Sequence, residues 1–397
     1  MIISPITDPK SLIVDQSGDE VSGRSGYSDR WILVSVIALA MFGILAVFSS
    51  VAYFAETKNS TAQSMVIGHI LKVLIAFFVI VAASKFNYRI FMKLSFPFLL
   101  LSWILLIIVT LYGAEVWGAR RSLTVGGFSF QPSSFAIVAL LVHLVGLIER
   151  KIMNQSIKSF KNSFVPMMFY VVVTCGLIGI EDFSSAGVLM GLSLILMFMG
   201  GVSKLHLGTM VLIGVLGGTA LVTSSDARVS RITNYLEQVI SINSHELDGG
   251  AGYQSQQAHI AIARGQFSGV GMGKSAQRDF LPAPYNDFIF AIIAEEYGLL
   301  GAGLILILFT LILIRGVVFV ARNAGTISGQ LLATIFTLTF VLFGFVNAAV
   351  ATGLFPVTGL PMPFVSYGGT SMLTSGLMIG IILNISKKST TSKKYLF

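Results

Sequence analysis

The chain has 397 residues, 54% hydrophobic and only 11% charged, with a mean hydropathy of +0.84. Soluble domains carry about 25% charged residues, so a water-soluble enzyme of this size is excluded and the chain reads as a polytopic membrane protein. The net charge of +8 is scattered between apolar segments instead of clustering on a soluble face, which fits membrane topology and not nucleic-acid binding. Cys175 is the single cysteine, so a disulfide framework and a Cys-based metal site are excluded. The five histidines never approach a metal-ligand spacing. The 40 glycines suit close helix packing in lipid.

In chain order, residues 1–30 form a polar leader without an apolar core, expected to be disordered and not a signal peptide. Apolar stretches follow at 31–54, 64–84, 95–113, 132–149, 164–180, 185–201, 205–223, 287–314, 327–352 and 368–385. They predict an all-α fold of about ten transmembrane helices, each needing about 20 apolar residues. An even number of spans puts both termini on one side, and the positive-inside rule makes that side cytoplasmic. The loops so assigned hold Lys85, Arg89, Lys93, Arg150, Lys151, Lys158, Lys161, Lys204, Arg315 and Arg322, and the basic tail, residues 386–397, adds Lys387, Lys388, Lys393 and Lys394.

Residues 224–286 form a large outer loop between the seventh and eighth spans of the 31–385 membrane domain. It still carries Arg228, Arg231, Arg264, Lys274 and Arg278, and Arg120 and Arg121 follow the third span on the same side. Long loops escape the positive-inside bias, so this basic surface has a bland reading; the functional one is an anionic ligand at the outer leaflet, since Arg suits bidentate phosphate contact. Ser268-Gly-Val-Gly-Met-Gly-Lys-Ser275 nearly spells a phosphate-binding loop, but its first position is Ser and no strand precedes it. A glycine-rich turn joining two loop helices is the better account. No Ser-x-x-Lys occurs, which argues against a penicillin-binding acyl-enzyme.

Acidic residues in or beside spans are costly and therefore informative. Asp182 lies in the short turn between the fifth and sixth spans, and Asp287 opens the eighth. Glu295 and Glu296 follow about 12 Å deeper and read as structural, one paired inside the bundle. By position, Asp287 is either a helix-start carboxylate favoured by the local dipole or a general base facing the outer loop. The last outer loop, Gly353 to Ser371, holds three prolines and four glycines and cannot be a regular helix. Such backbone at a membrane edge reads as a re-entrant segment lining a cavity.

Within that loop, Pro363-Phe-Val-Ser-Tyr-Gly-Gly-Thr-Ser371 resembles the signature of the SEDS family, the shape, elongation, division and sporulation proteins that include FtsW and RodA. Gly118-Ala-Arg-Arg121 with Gly126-Gly-Phe-Ser-Phe-Gln-Pro-Ser133, Tyr253-Gln-Ser-Gln-Gln257, Leu281-Pro282, Asp287-Phe-Ile-Phe-Ala291 and Glu295-Glu296 are similar to further family segments, in the family's order. The resemblance implies a bacterial cytoplasmic-membrane peptidoglycan glycosyltransferase that polymerises lipid II at the outer face. Asp287 would be its general base, with Arg120, Arg121, Gln257, Arg264, Ser366, Gly368 and Gly369 toward the substrate and Asp182, Glu295, Glu296 and Pro363 in support. A divalent cation, Mg or Mn, is an optional helper, and a class B penicillin-binding transpeptidase and other divisome proteins are the implied partners. Phe48-Ser-Ser-Val-Ala-Tyr53 and the polar leader lean toward the division-type branch over the RodA-type elongation branch.

Departures accompany the likeness. The family's Gln-Pro-Ser-Glu-x-x-Lys reads here Gln131-Pro-Ser-Ser134-Phe-Ala-Ile137, so a carboxylate and an amine that share a helix face are both lost together. Ile180-Glu-Asp-Phe-Ser-Ser185 keeps Asp182 but lacks the family's proline and glycine, and Ala283-Pro-Tyr-Asn286 replaces Glu-x-His-Thr before Asp287. The competing reading is a lipid II flippase; against it, the two halves show no repeat and the polar residues concentrate at one face. A scaffold that recruits the transpeptidase is a third reading.

Overall fold

The computed structural model describes residues 28–57, 62–116, 119–125, 128–224, 229–230, 233, 251–281 and 284–393. The expected leader and most of residues 224–250 lie outside these. Among the described residues nine helices are long and apolar enough to cross a membrane, and a tenth apolar helix is 17 residues long.

In order these are α1 (Arg30–Thr57), α2 (Ala62–Lys85), the short α3 (Tyr88–Lys93), α4 (Ser95–Tyr112), α5 (Pro132–Met153), α6 (Val165–Glu181), α7 (Phe183–Met199, the 17-residue one), α8 (Lys204–Thr223), the loop helix α9 (Ala251–Gly265), α10 (Ile289–Ile314), α11 (Ile327–Ala351) and α12 (Gly369–Lys393). The helix ends have local causes. Asn87 caps α3 by accepting from Arg89 N, Pro132 starts α5 where an N–H is not needed, and Thr326 caps α11 through Gly329 N.

Burial sorts the spans. The apolar windows of α11 and α12 are 83% buried and that of α5 78%, against 22% for α2 and 11% for α8. The first three make the centre of the bundle; α2 and α8 present apolar faces outward, as a lipid-facing helix does. Phe336, Phe340, Leu140, Leu144 and Ile382 are fully buried in that centre.

Parallel packing of α2 on α12 depends on small residues. A Cβ at Gly376 would stand 2.7 Å from the Ala76 carbonyl oxygen, and one at Gly380 2.6 Å from Ala83 Cβ. This pairing of 76 with 376 and 80 with 380 sets the start of α12 level with His69, so α2 rises about 10 Å above it at 1.5 Å per residue.

Two features depart from the expectation of helices alone. The loop after α4 folds into a three-stranded antiparallel sheet, β1 (Ala114–Val116), β2 (Ala119–Val125) and β3 (Phe128–Phe130), in the order β1-β2-β3. Val125 pairs with Phe128 across Gly126-Gly127, a two-residue hairpin spacing with the residues such turns require. The second departure is that the expected continuous eighth span, α10, is broken at Gly298, whose φ of 64° and ψ of −162° are not helical.

Candidate functional site

Asp287 sits immediately before α10 and is half-buried, beside fully buried Phe288 and Ile289. Its backbone is fixed from two directions. Asn347 of α11, 1% exposed, donates Nδ2 to the carbonyls of Asp287 (3.1 Å) and Leu360 (2.9 Å). The Ser366 hydroxyl donates to the Asn286 carbonyl (2.7 Å) and accepts from Met362 N (2.8 Å), while Tyr367 N donates to the Tyr285 carbonyl (2.8 Å). Asp287 is therefore held by the last outer loop, not by its own helix alone.

That loop is enclosed by protein: Leu360, Met362, Phe364, Val365 and Ser366 are all buried. Phe364, next to Pro363, has φ +61°, a strained value for a side-chain-bearing residue, and its ring packs between Phe77 and Phe340. Gly43 of α1 lets the loop backbone approach, since a Cβ there would lie 2.4 Å from the Phe364 carbonyl oxygen. Strained irregular backbone at this depth survives because protein encloses it.

A ring cluster lies beside the carboxylate. Tyr285 and Tyr367 meet edge to face, 5.6 Å between centroids at 80°, and Tyr367 stacks on His69 of α2, 5.6 Å at 23°. Lys72 Nζ stands 3.6 Å from the Tyr367 ring centroid. Burial, Tyr367 and the Asp287 charge together raise the Tyr285 pKa, so its phenol stays protonated beside the carboxylate. Sequence reading missed His69 and Lys72, although an ionisable residue inside an apolar span is a sufficient signal. Among the described residues no carboxylate pairs with Lys72. A cation over a ring is worth about 0.5–2 kcal/mol, against about 2.5–3.5 kcal/mol for placing a lysine at the centre of a membrane helix.

Glu295 and Glu296 are bound up with the glycine-rich turn. At the break in α10 their backbone carbonyls lose helical partners and accept instead from Val270 N (2.9 Å) and Gly271 N (3.0 Å). Beyond the break, Leu299 N and Leu300 N donate to the carbonyls of Gln266 (3.0 Å) and Phe267 (3.3 Å). The side chains reach the same segment. Glu295 takes Arg264 Nη1 (3.0 Å), Ala276 N (3.1 Å), Gln277 N (3.3 Å) and the Ser275 hydroxyl; Glu296 takes Gly273 N (3.1 Å), Ser275 N (3.4 Å) and the Ser49 hydroxyl of α1. Gly269, Gly271 and Gly273 all have positive φ; Gly269 N donates back to the Gly265 carbonyl, while Gly271 N reaches the Glu296 carbonyl and Gly273 N the Glu296 carboxylate. The near phosphate-binding loop is thus a cradle for two carboxylates of its own chain.

Of the other expected site residues, Asp182 is buried and caps α7, accepting from Ser185 N (3.2 Å) and the Ser185 hydroxyl (2.6 Å). Arg264 is committed to Glu295 through one nitrogen, with the rest of its side chain outside. Ser366 is 2% exposed with its hydroxyl spent on loop backbone, which makes it a positioning residue for Asp287 and not a substrate contact. Gln257 is half-buried on α9, Gly369 opens α12 and Gly368 immediately precedes it. Arg120 and Arg121 lie on β2, their side chains outside the described residues. The sheet is nevertheless tied to the site: Gln131 N donates to the Thr370 hydroxyl (2.9 Å), which donates to the Ser129 carbonyl (3.3 Å). Ser134 and Ile137 stand on α5 without the family's charges, Ile137 in the core. Among the described residues no three His, Cys, Asp or Glu side chains group to hold a metal.

Apolar spans around an enclosed irregular loop, with a half-buried carboxylate at the head of a broken span, define a polytopic membrane protein. The family model described as cell cycle protein, for FtsW, RodA and SpoVE, matches residues 30–391, and the chain belongs to that family. It is 33% identical over 372 residues to stage V sporulation protein E of Bacillus subtilis, covering 91% of this chain and 97% of that protein. It is 31% identical over 362 residues to a protein of Trichlorobacter lovleyi named "Probable peptidoglycan glycosyltransferase FtsW", covering 90% and 93%. Among solved structures, a peptidoglycan synthase complex that coordinates polymerization and crosslinking matches with a TM-score of 0.72 at 23% identity, covering 91% of this chain and 98% of that one. Thermus thermophilus RodA matches at 0.65 and 21% identity, covering 91% and 97%. These two likenesses show a shared fold.

Proposed function

We propose that this protein is a peptidoglycan glycosyltransferase that polymerises lipid II at the outer face of the bacterial cytoplasmic membrane during division. Asp287 acts as general base: it takes the proton from the acceptor sugar's 4-hydroxyl as that oxygen bonds to the donor's anomeric carbon, and the donor's polyprenyl pyrophosphate leaves with the bonding electrons. Tyr285, kept protonated, and the half-buried setting of Asp287 supply a neutral donor beside one anionic acceptor. The observation that carries the reading is the convergence of Asn347, Ser366 and Tyr367 on the backbone of residues 285–287, which holds the base in place before substrate binds. The glycosyltransferase activity for which the FtsW relatives are named and the division-type sequence features support the same reading. Arg120 and Arg121 are the cations assigned to the pyrophosphate, and the fastening of their sheet to Thr370 supports that assignment. A class B penicillin-binding transpeptidase, with other divisome proteins, is the expected partner; the synthase complex of the same fold supports this.

The test uses purified protein, with and without the transpeptidase, and labelled lipid II in liposomes. Wild type makes glycan, and folded Asp287→Asn makes 10²- to 10⁴-fold less. No glycan from either, with both moving lipid II across the bilayer, would establish a transporter instead.

A further inference from the structure

The mechanism above leaves His69 and Lys72 unused. They lie three residues apart on α2, a spacing that puts both on one helix face, and both contact the Tyr367 ring. His69 is fully buried, yet neither of its ring nitrogens has a hydrogen-bond partner among the described residues. Buried polar atoms are almost always partnered, so two on one ring call for a ligand. Lys72 sits inside an apolar span, and no carboxylate among the described residues pairs with it. The Tyr367 hydroxyl reaches back along the same helix, 3.7 Å from where a Cβ at Gly68 would stand. Through Tyr367 and Tyr285 this face of α2 adjoins Asp287.

We propose that Lys72 and His69 form an anion-binding subsite for the pyrophosphate of the lipid-linked substrate, reached from the side of the exposed helix α2. The inference rests on the polymerase reading and adds the residues that hold the leaving group. Lys72 supplies the point charge and His69 an N–H to a phosphoryl oxygen, while Tyr367 fixes the distance between this subsite and the base. A lipid-borne anion fits better than a soluble one because α2 is among the least buried spans, so a polyprenyl chain can lie along it while its head reaches Lys72.

The experiment measures binding of a polyprenyl pyrophosphate, the polyprenyl alcohol of equal length and inorganic pyrophosphate to the full chain in nanodiscs. The variants are Lys72→Met, Lys72→Arg and His69→Phe, each checked for an unchanged thermal midpoint. Wild type should bind the pyrophosphate lipid at least tenfold tighter than the alcohol. Lys72→Met should cut that preference at least fivefold, leaving the part that Arg120 and Arg121 supply, Lys72→Arg should restore most of it, and His69→Phe, which keeps the stack on Tyr367, should weaken it about threefold with alcohol binding unchanged. Wild-type preference in Lys72→Met overturns the inference, as does Lys72→Arg binding as poorly as Met. Competition by inorganic pyrophosphate as effective as by the lipid overturns the lipid-borne assignment. Glycan synthesis by wild type is read separately in the same discs. Polymer with no binding change in Lys72→Met sinks only this subsite; no polymer sinks the enzymatic reading while the binding contrast still decides the subsite.

Discussion

Asn347 shows how much of the site depends on single side chains remote from the chemistry. Its one amide nitrogen serves two carbonyls, those of Asp287 and Leu360, in a buried setting. Replacing it with Leu removes both hydrogen bonds, each worth about 0.5–1.5 kcal/mol net. Asn347→Leu is expected to lower the thermal midpoint and to reduce kcat more than KM, because the base loses its position and not its charge. Ser366→Ala is expected to act in the same direction with a smaller stability loss. A midpoint and kcat unchanged by Asn347→Leu would remove this residue from the positioning scheme. His259 on α9 provides a pH-dependent counterpart. Burial lowers its pKa, only partly offset by a hydrogen bond with the Thr352 backbone. A histidine harder to protonate when folded contributes stability that is complete above its unfolded pKa of about 6.5 and is lost as pH falls below it. The midpoint should therefore drop on acidification from pH 7 to 5, by less in His259→Gln, as scanning calorimetry across that range can check.

At the scale of elements, the break in α10 and the 265–278 segment form one unit. The segment supplies donors and acceptors that the helix lost at Gly298, and two buried glutamates bind it side chain to backbone. Gly298→Ala forces a side chain into φ 64° with a Cβ 2.4 Å from Gly269 N. It is expected to detach the segment, seen as faster hydrogen exchange over residues 265–278. Glu295→Gln should loosen the same segment more than Arg264→Gln, since Glu295 gathers four donors and Arg264 keeps solvent contact. Equal exchange in the two variants would contradict that ranking. At the turn between α6 and α7, Asp182→Ala removes a helix cap worth about 0.5–2 kcal/mol.

Over the whole molecule, the proposed orientation puts the Asp287 site, the β-sheet and the 265–278 segment outside, and the basic loops inside. In a Cys175→Ser background, a cysteine at Met272 should react with an impermeant thiol reagent in intact cells, and one at Lys158 only after permeabilisation. The reverse pattern would invert the topology and with it the assignment of the site to the outer face. Facing away from the site, Asp29 just ahead of α1 pairs with Arg315 at the end of α10 (3.0 Å) and donates its backbone N–H to Ser386 of α12 (3.1 Å), closing the other end of the bundle.

The spans were legible to within about two residues at their starts and less closely at their ends, because a stretch of about 20 apolar side chains has no solution in lipid other than a helix. Asp287 and the Pro363–Ser371 loop stood out too, since a carboxylate at a span's head and prolines at a membrane edge are costly features, though position alone left Asp287 with two readings. The sheet after α4 was signalled locally by Gly126-Gly127 but outweighed by the helical composition around it. Other assignments depended on residues far apart in sequence. That the glycine-rich turn cradles Glu295 and Glu296, that Ser366 serves the backbone of Asn286, and that His69 and Lys72 of the second span stand beside the loop before the tenth are facts of packing. Hydropathy acts along the chain and is read there, whereas a hydrogen bond between residues 80 or 300 positions apart exists only after the helices have chosen their neighbours.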